Sequence, residues 1–371
     1  MNRIRSLIKF LGKIEGLSVG IVLLLLYVVF IVSAPEVFLK YRIYMSFLQT
    51  VTPPLILGLG LTFVITAGEI DLSFPAVVAF SGYVFTWSFN TFSGDIDSSL
   101  AALGGLILAL AAGAIVGYIN GVIVARIGVP SIMATLAAQF FWYGVTVLLA
   151  GGLQSSLKTI DTNTIHEILT GRIYGVIPDP ARGRIGIPTQ ALWALALAVF
   201  LWFILNRHKF GEAIMFIGDN PNVARVMGVN VEATRIQLFT MMGAISAFAG
   251  VILTLEMGVF YPTQGQGMLL PVMAAVFIGG TSIAGGLGSI VGTFFGSYII
   301  GSLEPGVVAS GISGFWVQLV QGLVMGASVI LNTIIGQGEL GVLIDRLQRW
   351  GALFRVNTTA EASMKDDAAA K

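Results

Sequence analysis

Two carboxylates one residue apart, Glu69 and Asp71, interrupt an otherwise apolar stretch that reads Thr66-Ala67-Gly68-Glu69-Ile70-Asp71-Leu72-Ser73-Phe74-Pro75. An ionised side chain at membrane depth costs at least about 2.5 kcal/mol, so such residues either meet water or serve a function. Two readings stand: a short polar turn in which Asp71 caps a helix starting near Ser73, with Pro75 in its first turn, or a broken helix bordering a polar path. Other polar groups inside apolar runs, Asn120, Gln139, Gln318 and Gln321, suit either a solute hydroxyl or a neighbouring helix. Reactive constellations are absent. With no cysteine, thiolate nucleophiles, thiolate metal sites and disulfides are excluded, and His166 and His208 are too few for a histidine-rich metal site. The phosphate loop G-x-x-x-x-G-K-[ST] does not occur: the sole Gly-Lys pair, Gly12-Lys13, is followed by Ile14. No catalytic, cofactor-binding or metal-binding residues are expected in this chain. If ATP drives it, ATP and Mg belong to a partner chain.

Glycine is a second signal. The chain holds 46 glycines in 371 residues, well above the roughly 7% of ordinary proteins. Gly113-x-x-x-Gly117-x-x-x-Gly121 and Gly292-x-x-x-Gly296 are small-xxx-small stripes where helices approach closely. The clusters Gly279-Gly280 and Gly285-Gly286-x-Gly288 are denser than packing needs, and they read as a helix break that exposes backbone to a cavity. A third signal lies in the segment Phe210 to Val231. Asp219 or Asn220 can cap a short helix with Pro221 in its first turn, Val223, Val226 and Met227 form an apolar face, and Gly228 ends it. Such a helix either lies in the lipid interface or docks into a partner's groove. Its single arginine, Arg225, weakens the lipid reading.

The elements that position these residues follow from composition. Residues of the apolar set make up 56% of the chain and charged residues 11%, against about 25% charged in soluble domains; the mean hydropathy is +0.89. An ordinary soluble enzyme and a disordered chain are both excluded. A net charge of +1 provides no field for nucleic acid. The pattern is that of an all-α integral membrane protein, a polytopic helical bundle.

Uncharged runs near 20 residues long give ten candidate spans: Leu17 to Ala34, Leu48 to Ala67, Ser73 to Phe89, Leu100 to Val124, Ser131 to Ala150, Thr189 to Leu205, Ile236 to Leu255, Pro271 to Ile283, Ser289 to Leu303 and Phe315 to Ile335. The eighth and ninth are short, so eight to ten transmembrane helices are expected, with broken helices near 68–75 and 279–288. Arg3, Arg5, Lys9, Lys13, Arg126, Arg207, Lys209, Arg225, Arg235 and the basic residues of the C-terminal tail fall on one side. Only Lys40, Arg42, Lys158, Arg172, Arg182 and Arg184 fall on the other. Both termini are therefore expected to be cytoplasmic.

The chain is expected to divide into a cytoplasmic segment 1–16, a transmembrane domain 17–335 and a cytoplasmic tail 336–371. The domain carries an extracytoplasmic insert at 151–188 and a cytoplasmic loop at 206–235. The basic start precedes an apolar run with no clear small-residue cleavage site, which favours a retained first helix. In the tail, Leu343, Leu347, Trp350 and Phe354 share one helical face, suited to the lipid surface on the inner side, and the end reads as disordered. Neither loop reaches the roughly 50 residues of a catalytic domain.

Three motifs carry a family resemblance. Gly218-Asp219-Asn220-Pro221-Asn222-Val223-Ala224-Arg225-Val226-Met227-Gly228-Val229-Asn230-Val231 resembles the cytoplasmic G-x-N-x-x-A-A-x-x-x-G-I-x-V loop of the ribose/xylose/galactose class of ABC-transporter permeases. Gly68-Glu69-Ile70-Asp71-Leu72-Ser73 is similar to that class's G-G-I-D-L-S, and Ala274 to Thr293 to its A-A-V-x-x-G-G-T-S-x-x-G-G-x-G-x-x-x-G-T. Order and spacing agree over roughly residues 45 to 335. Glu69 stands where the class commonly has glycine, as does Pro75, and the 151–188 insert is longer than usual.

The resemblance implies the membrane-spanning permease of an ATP-driven importer in a bacterial inner (plasma) membrane. It implies a homodimer working with a cytoplasmic ATPase, usually a tandem two-domain chain, and an extracytoplasmic substrate-binding protein. The solute would be a monosaccharide or a related small polar compound. It makes Gly218, Asp219, Asn220, Pro221, Ala224, Met227, Gly228 and Val229 the ATPase-coupling element. Glu69, Asp71, Ser73, Asn120, Gln139, Gly279, Gly280 and Thr281 are the candidates for the translocation pathway. The alternative is an ion-coupled secondary transporter, which would need ionisable groups near mid-membrane; Glu256 and the Glu69/Asp71 pair are the few at hand.

Overall fold

Where no charge interrupts an apolar run the chain forms helix, and the computed structural model, which describes residues 15–158, 160, 163–177, 185–323 and 326, is built almost wholly of helices. They are α1 (Leu17–Ser33), α2 (Pro35–Phe38), α3 (Tyr41–Thr50), α4 (Thr52–Thr66), α5 (Phe74–Phe92), α6 (Ser98–Val122, running on through a π-turn Ile123–Ile127), α7 (Ser131–Ala150), α8 (Thr164–Thr170), α9 (Thr189–Arg207), α10 (Lys209–Asp219), α11 (Pro221–Val226), α12 (Val231–Met257), α13 (Leu269–Ile278) and α14 (Ile290–Ala309). Four short strands form two antiparallel pairs. β1 (Ser155–Ser156) lies against β4 (Val259–Phe260), with Ser155 opposite Phe260, and β2 (Arg172–Ile177) against β3 (Ile185–Pro188), with Arg172 opposite Pro188. All these elements belong to residues 1–321, the first of two units into which the chain divides, the second being 322–371.

Among the described residues, four helices are long and apolar enough to cross a membrane: α6 with its π-turn, α7, α9 and α12. They become five if α3 and α4, bent by 50° at Val51, are one span. Pro53 and Pro54 explain the bend, since proline disfavours helix in the residue before it and removes amide donors from the ladder. Of the expected last span only residues 315–323 and 326 are described, and the amphipathic tail 339–355 lies outside the described residues.

The core forms around α4, an apolar helix buried at every position but Pro54; a helix apolar on all sides belongs inside a bundle. The glycine stripes are its closest seams. A side chain at Gly117 would overlap the Phe239 carbonyl oxygen of α12, and one at Gly113 would crowd Gly243 and Ala247. Gly292 and Gly296 of α14 lie in the same way against the carbonyls of Gly279 and Ala275. Without these glycines α6 could not reach α12, nor α14 reach α13.

The loop 206–235 departs from expectation. It contains α10 and α11, two helices rather than one, and α10 buries Gly211, Ile214 and Ile217 along one face. Glycines at two of the positions on that face obscure its period in the sequence.

Candidate functional site

The chain leaves α4 at Thr66, turns at Gly68 with φ 75° and stays non-helical until Phe74. Backbone amides in such an apolar setting need partners. α7 supplies them from one face: Ile70 N donates to Ser131 Oγ at 3.1 Å, Leu72 N to Thr135 Oγ1 at 3.0 Å and Ala76 N to Gln139 Oε1 at 3.0 Å. These acceptors recur every fourth residue, the spacing that stacks side chains along a helix. Gln139 is thus engaged by the backbone of a neighbouring helix, the plainer of its two sequence readings. Ser131 and Thr135, not singled out from the sequence, belong to the same polar stripe, and their spacing in α7 is the signal that could have found them.

The two carboxylates part company. Asp71 is buried, and its Oδ1 accepts from Ser73 N at 2.7 Å and Ser73 Oγ at 2.6 Å, while Ser73 Oγ accepts from Asn120 Nδ2 of α6 at 2.8 Å. The expectation of Asp71 as a helix cap needs correction: Ser73 occupies the cap position before α5, and Asp71 holds Ser73 rather than the first-turn amides. Glu69 turns instead towards α12, where its Oε1 lies 2.8 Å from Arg235 Nε as an ion pair without an aligned hydrogen bond.

Changing Asp71 to alanine strands the buried Ser73 donors and is expected to cost about 1 to 3 kcal/mol. Asparagine, which keeps an acceptor oxygen, should cost less. Thermal unfolding of the detergent-solubilised chain reads both, and an alanine variant as stable as wild type would remove Asp71 from the framework.

The second break, between α13 and α14, turns at Gly280, Gly285 and Gly286, all with positive φ. Thr281 is buried within it and accepts Ser289 N at 3.4 Å, Ser282 N donates to Leu287 O at 2.9 Å, and Ser289 Oγ caps α14 by accepting Gly292 N at 2.8 Å. Gly286 N donates to Thr66 O at 2.8 Å, which ties this break to the end of α4 where the first break starts. Gly218, near the end of α10, completes the junction: a side chain there would overlap both Thr66 O and Gly286 N, and Gly285 packs against Gly218 itself. The Asp219 carboxylate lies over Gly286. Three segments of the chain therefore meet backbone to backbone, with no room for a Cβ on Gly218. Gly279 packs against Thr293, and Gly280 is exposed.

A single residue, Asn220, separates Asp219 from α11. Asn220 is its cap, accepting from Asn222 N and Val223 N, and Gly228 ends the turn with φ 87°. Ala224 is buried against Ile217, Val231 and Val229, which seats the helix on α10 and α12. Val223, Val226 and Met227 are left exposed, Val226 at 89%. The residues considered for a pathway form two clusters, Asp71-Ser73-Asn120 and the second break, with Gln139 and Glu69 holding the first break from either side.

A cavity of about 330 Å3 lies between α9 and α14, lined by apolar side chains including Trp202 and Phe294. One of about 340 Å3 is lined by Tyr143, Gln154, Tyr261 and Thr263, among others. A third, of about 160 Å3, involves Pro54, Pro271, Ser297, Glu304 and Gln321. No pathway candidate lines any of the three. Among the described residues no group of three or more His, Asp or Glu could hold a metal ion.

Residues 43–329 match the family described as branched-chain amino acid transport system / permease component. The ribose import permease protein RbsC of Bacillus subtilis (strain 168) is 32% identical over 325 residues, covering 88% of this chain and 95% of that protein. The fructose import permease protein FrcC of Rhizobium meliloti is 33% identical over 286 residues, or 77% and 76% of the two chains. The D-allose transport system permease protein AlsC of Escherichia coli (strain K12) is 30% identical over 305 residues, or 82% and 87%. Among solved structures, PsaBC from Streptococcus pneumoniae in complex with Fab aligns over 89% of this chain and 95% of that chain, at 15% identity and a TM-score of 0.37.

Proposed function

Because this chain belongs to the family of branched-chain amino acid transport system permease components, we propose that it forms the membrane path of an ATP-driven importer for a monosaccharide or a related small polar solute. The relatives named for ribose, fructose and allose, at 30 to 33% identity, support the solute class. The chain is a transport subunit and not an enzyme. ATP and Mg belong to a separate cytoplasmic ATPase, in this reading a tandem two-domain chain, and an extracytoplasmic binding protein delivers the solute. Two copies in a bacterial inner membrane, each with about ten spans and both termini inside, form the path.

One observation carries the mechanism: α11, with its exposed apolar face, is joined to Gly218-Asp219 through the single residue Asn220, and Gly218 is wedged between the end of α4 and the second break. A push on α11 has no compliant side chain to absorb it at that wedge, so both breaks move with it. Asp71, Ser73, Asn120, Gln139 and Thr281 are then the framework that holds the broken segments beside the path, with Gly279 and Gly280 as its flexible points. Glu69 carries a counter-ion in Arg235, which suits a structural pair better than a proton or sodium carrier.

Purified alone, the chain should hydrolyse no ATP above a mock preparation, yet retain an ATPase chain when solubilised gently from its native membrane. Robust hydrolysis by the clean polypeptide would overturn the division of labour. The solute class is tested by calorimetry of the cognate binding protein against sugars, polyols and nucleosides, followed by uptake into proteoliposomes holding the whole complex.

A further inference from the structure

The sequence places the end of a span at Leu303, but α14 runs on through Glu304 and Pro305 to Ala309. Glu304 therefore sits in the last turns of α14, where it is exposed. Its carboxylate makes no ion pair or hydrogen bond with any described residue, and neither does the side-chain amide of Gln321. A carboxylate turned to lipid would be costly, so this exposed one suits water or a polar ligand. Both side chains line the cavity of about 160 Å3 that also meets Ser297, Pro54, Pro271 and Ile300. The cavity abuts α13, the half-length helix that leads into the second break, and discontinuous helices are where transporters place their solute sites.

We propose that this cavity is the outer receiving site for a neutral, polyhydroxylated solute, a role that rests on the importer reading above. The donor and acceptor set fits that class. A carboxylate accepts from two hydroxyls, an amide both donates and accepts, and Ser297 Oγ, which donates to Thr293 O at 2.9 Å, keeps lone pairs to accept. Pro54, Pro271 and Ile300 offer an apolar wall to the C–H face of a sugar ring. Phosphorylated or carboxylated sugars are repelled by Glu304. The site lies towards the outer side: Ser310, just past α14, meets Ser33 at the end of α1, Oγ to Oγ, at 3.0 Å, and α1 begins at the cytoplasmic side in the proposed orientation.

The chain contains no cysteine, so E304C introduces a single thiol for labelling in the full complex with its ATPase and binding protein. It should react with a water-soluble methanethiosulfonate reagent and be protected during turnover by whichever of D-ribose, D-fructose or D-allose the wild type takes up. L24C, on the exposed face of α1, should stay unreactive. E304Q and Q321L should each reduce uptake at limiting sugar about tenfold or more, and both should narrow the preference for the sugar over its deoxy analogues. That last effect would not follow from a framework role.

If the wild-type complex takes up none of the three sugars, the monosaccharide reading fails, whatever the labelling shows. If wild type transports but E304C is unreactive, or E304Q and Q321L transport as wild type, the receiving site is overturned. Loss of assembly on size exclusion in both isosteric E304Q and Q321L would overturn it as well, by making the pair structural.

Discussion

Replacing Arg235 by alanine is expected to destabilise the protein by about 2 kcal/mol or more and to abolish uptake, and adding Glu69→Gln to the same chain should restore most of the stability. Glu69 is buried in the first break, with Arg235 2.8 Å away as its counter-charge. Removing one partner of a buried pair leaves the other unpaired in a low dielectric, at about 3 to 5 kcal/mol when both are fully buried. The 22% exposure of the Arg235 side chain lowers that figure. Gln in place of Glu69 removes the stranded charge, so the second change should help only in the presence of the first. Thermal unfolding of the four detergent-solubilised variants completes the cycle. A stable Arg235→Ala single variant, or a double variant no better than the single, would show that the pair does not hold the break.

The same pair marks the limit of what could be read in the sequence. Glu69 stood out because a carboxylate in an apolar run is costly, and that argument needs no structure. Its partner lies 166 positions away, and no local periodicity connects them, so Glu69 and Asp71 read as one polar feature when they face different helices. The glycine stripes and both helix breaks were legible for the opposite reason: spacing and density are local properties. Glu304 escaped notice because charge was used to end spans, and a helix that carries a carboxylate through its last turns violates that rule. α10 was hidden by glycine at positions 211 and 218, residues kept small by contact with the Leu205 and Thr66 carbonyls respectively, both outside α10 itself. Family resemblance supplied the importer; residue spacing alone left an ion-coupled transporter open.

Met227→Glu is expected to release the ATPase from the permease and to abolish uptake, while the permease itself still folds. Met227, Val223 and Val226 form an apolar face that no described part of this chain covers, on a helix seated through Ala224. A glutamate there is tolerated by water but not by a desolvated groove, where charging an anchor typically costs about 2 kcal/mol or more. Arg225→Ala should matter less, since Arg225 is exposed and, among the described residues, its guanidinium reaches only Asn222 Oδ1, at 3.4 Å; a charge at such a rim contributes little. Size-exclusion profile, ATPase co-purification and solute uptake, compared for the two variants, separate the cases. Intact assembly and uptake in Met227→Glu would sink docking and shift α11 to the lipid interface. Gly218→Val supplies the complementary case: its added atoms would clash with Thr66 O and Gly286 N while leaving the docking face untouched. That variant should still bind the ATPase but fail in uptake, because the wedge that links α11 to both breaks has been forced apart; uptake at the wild-type rate would mean that the signal reaches the breaks by another route.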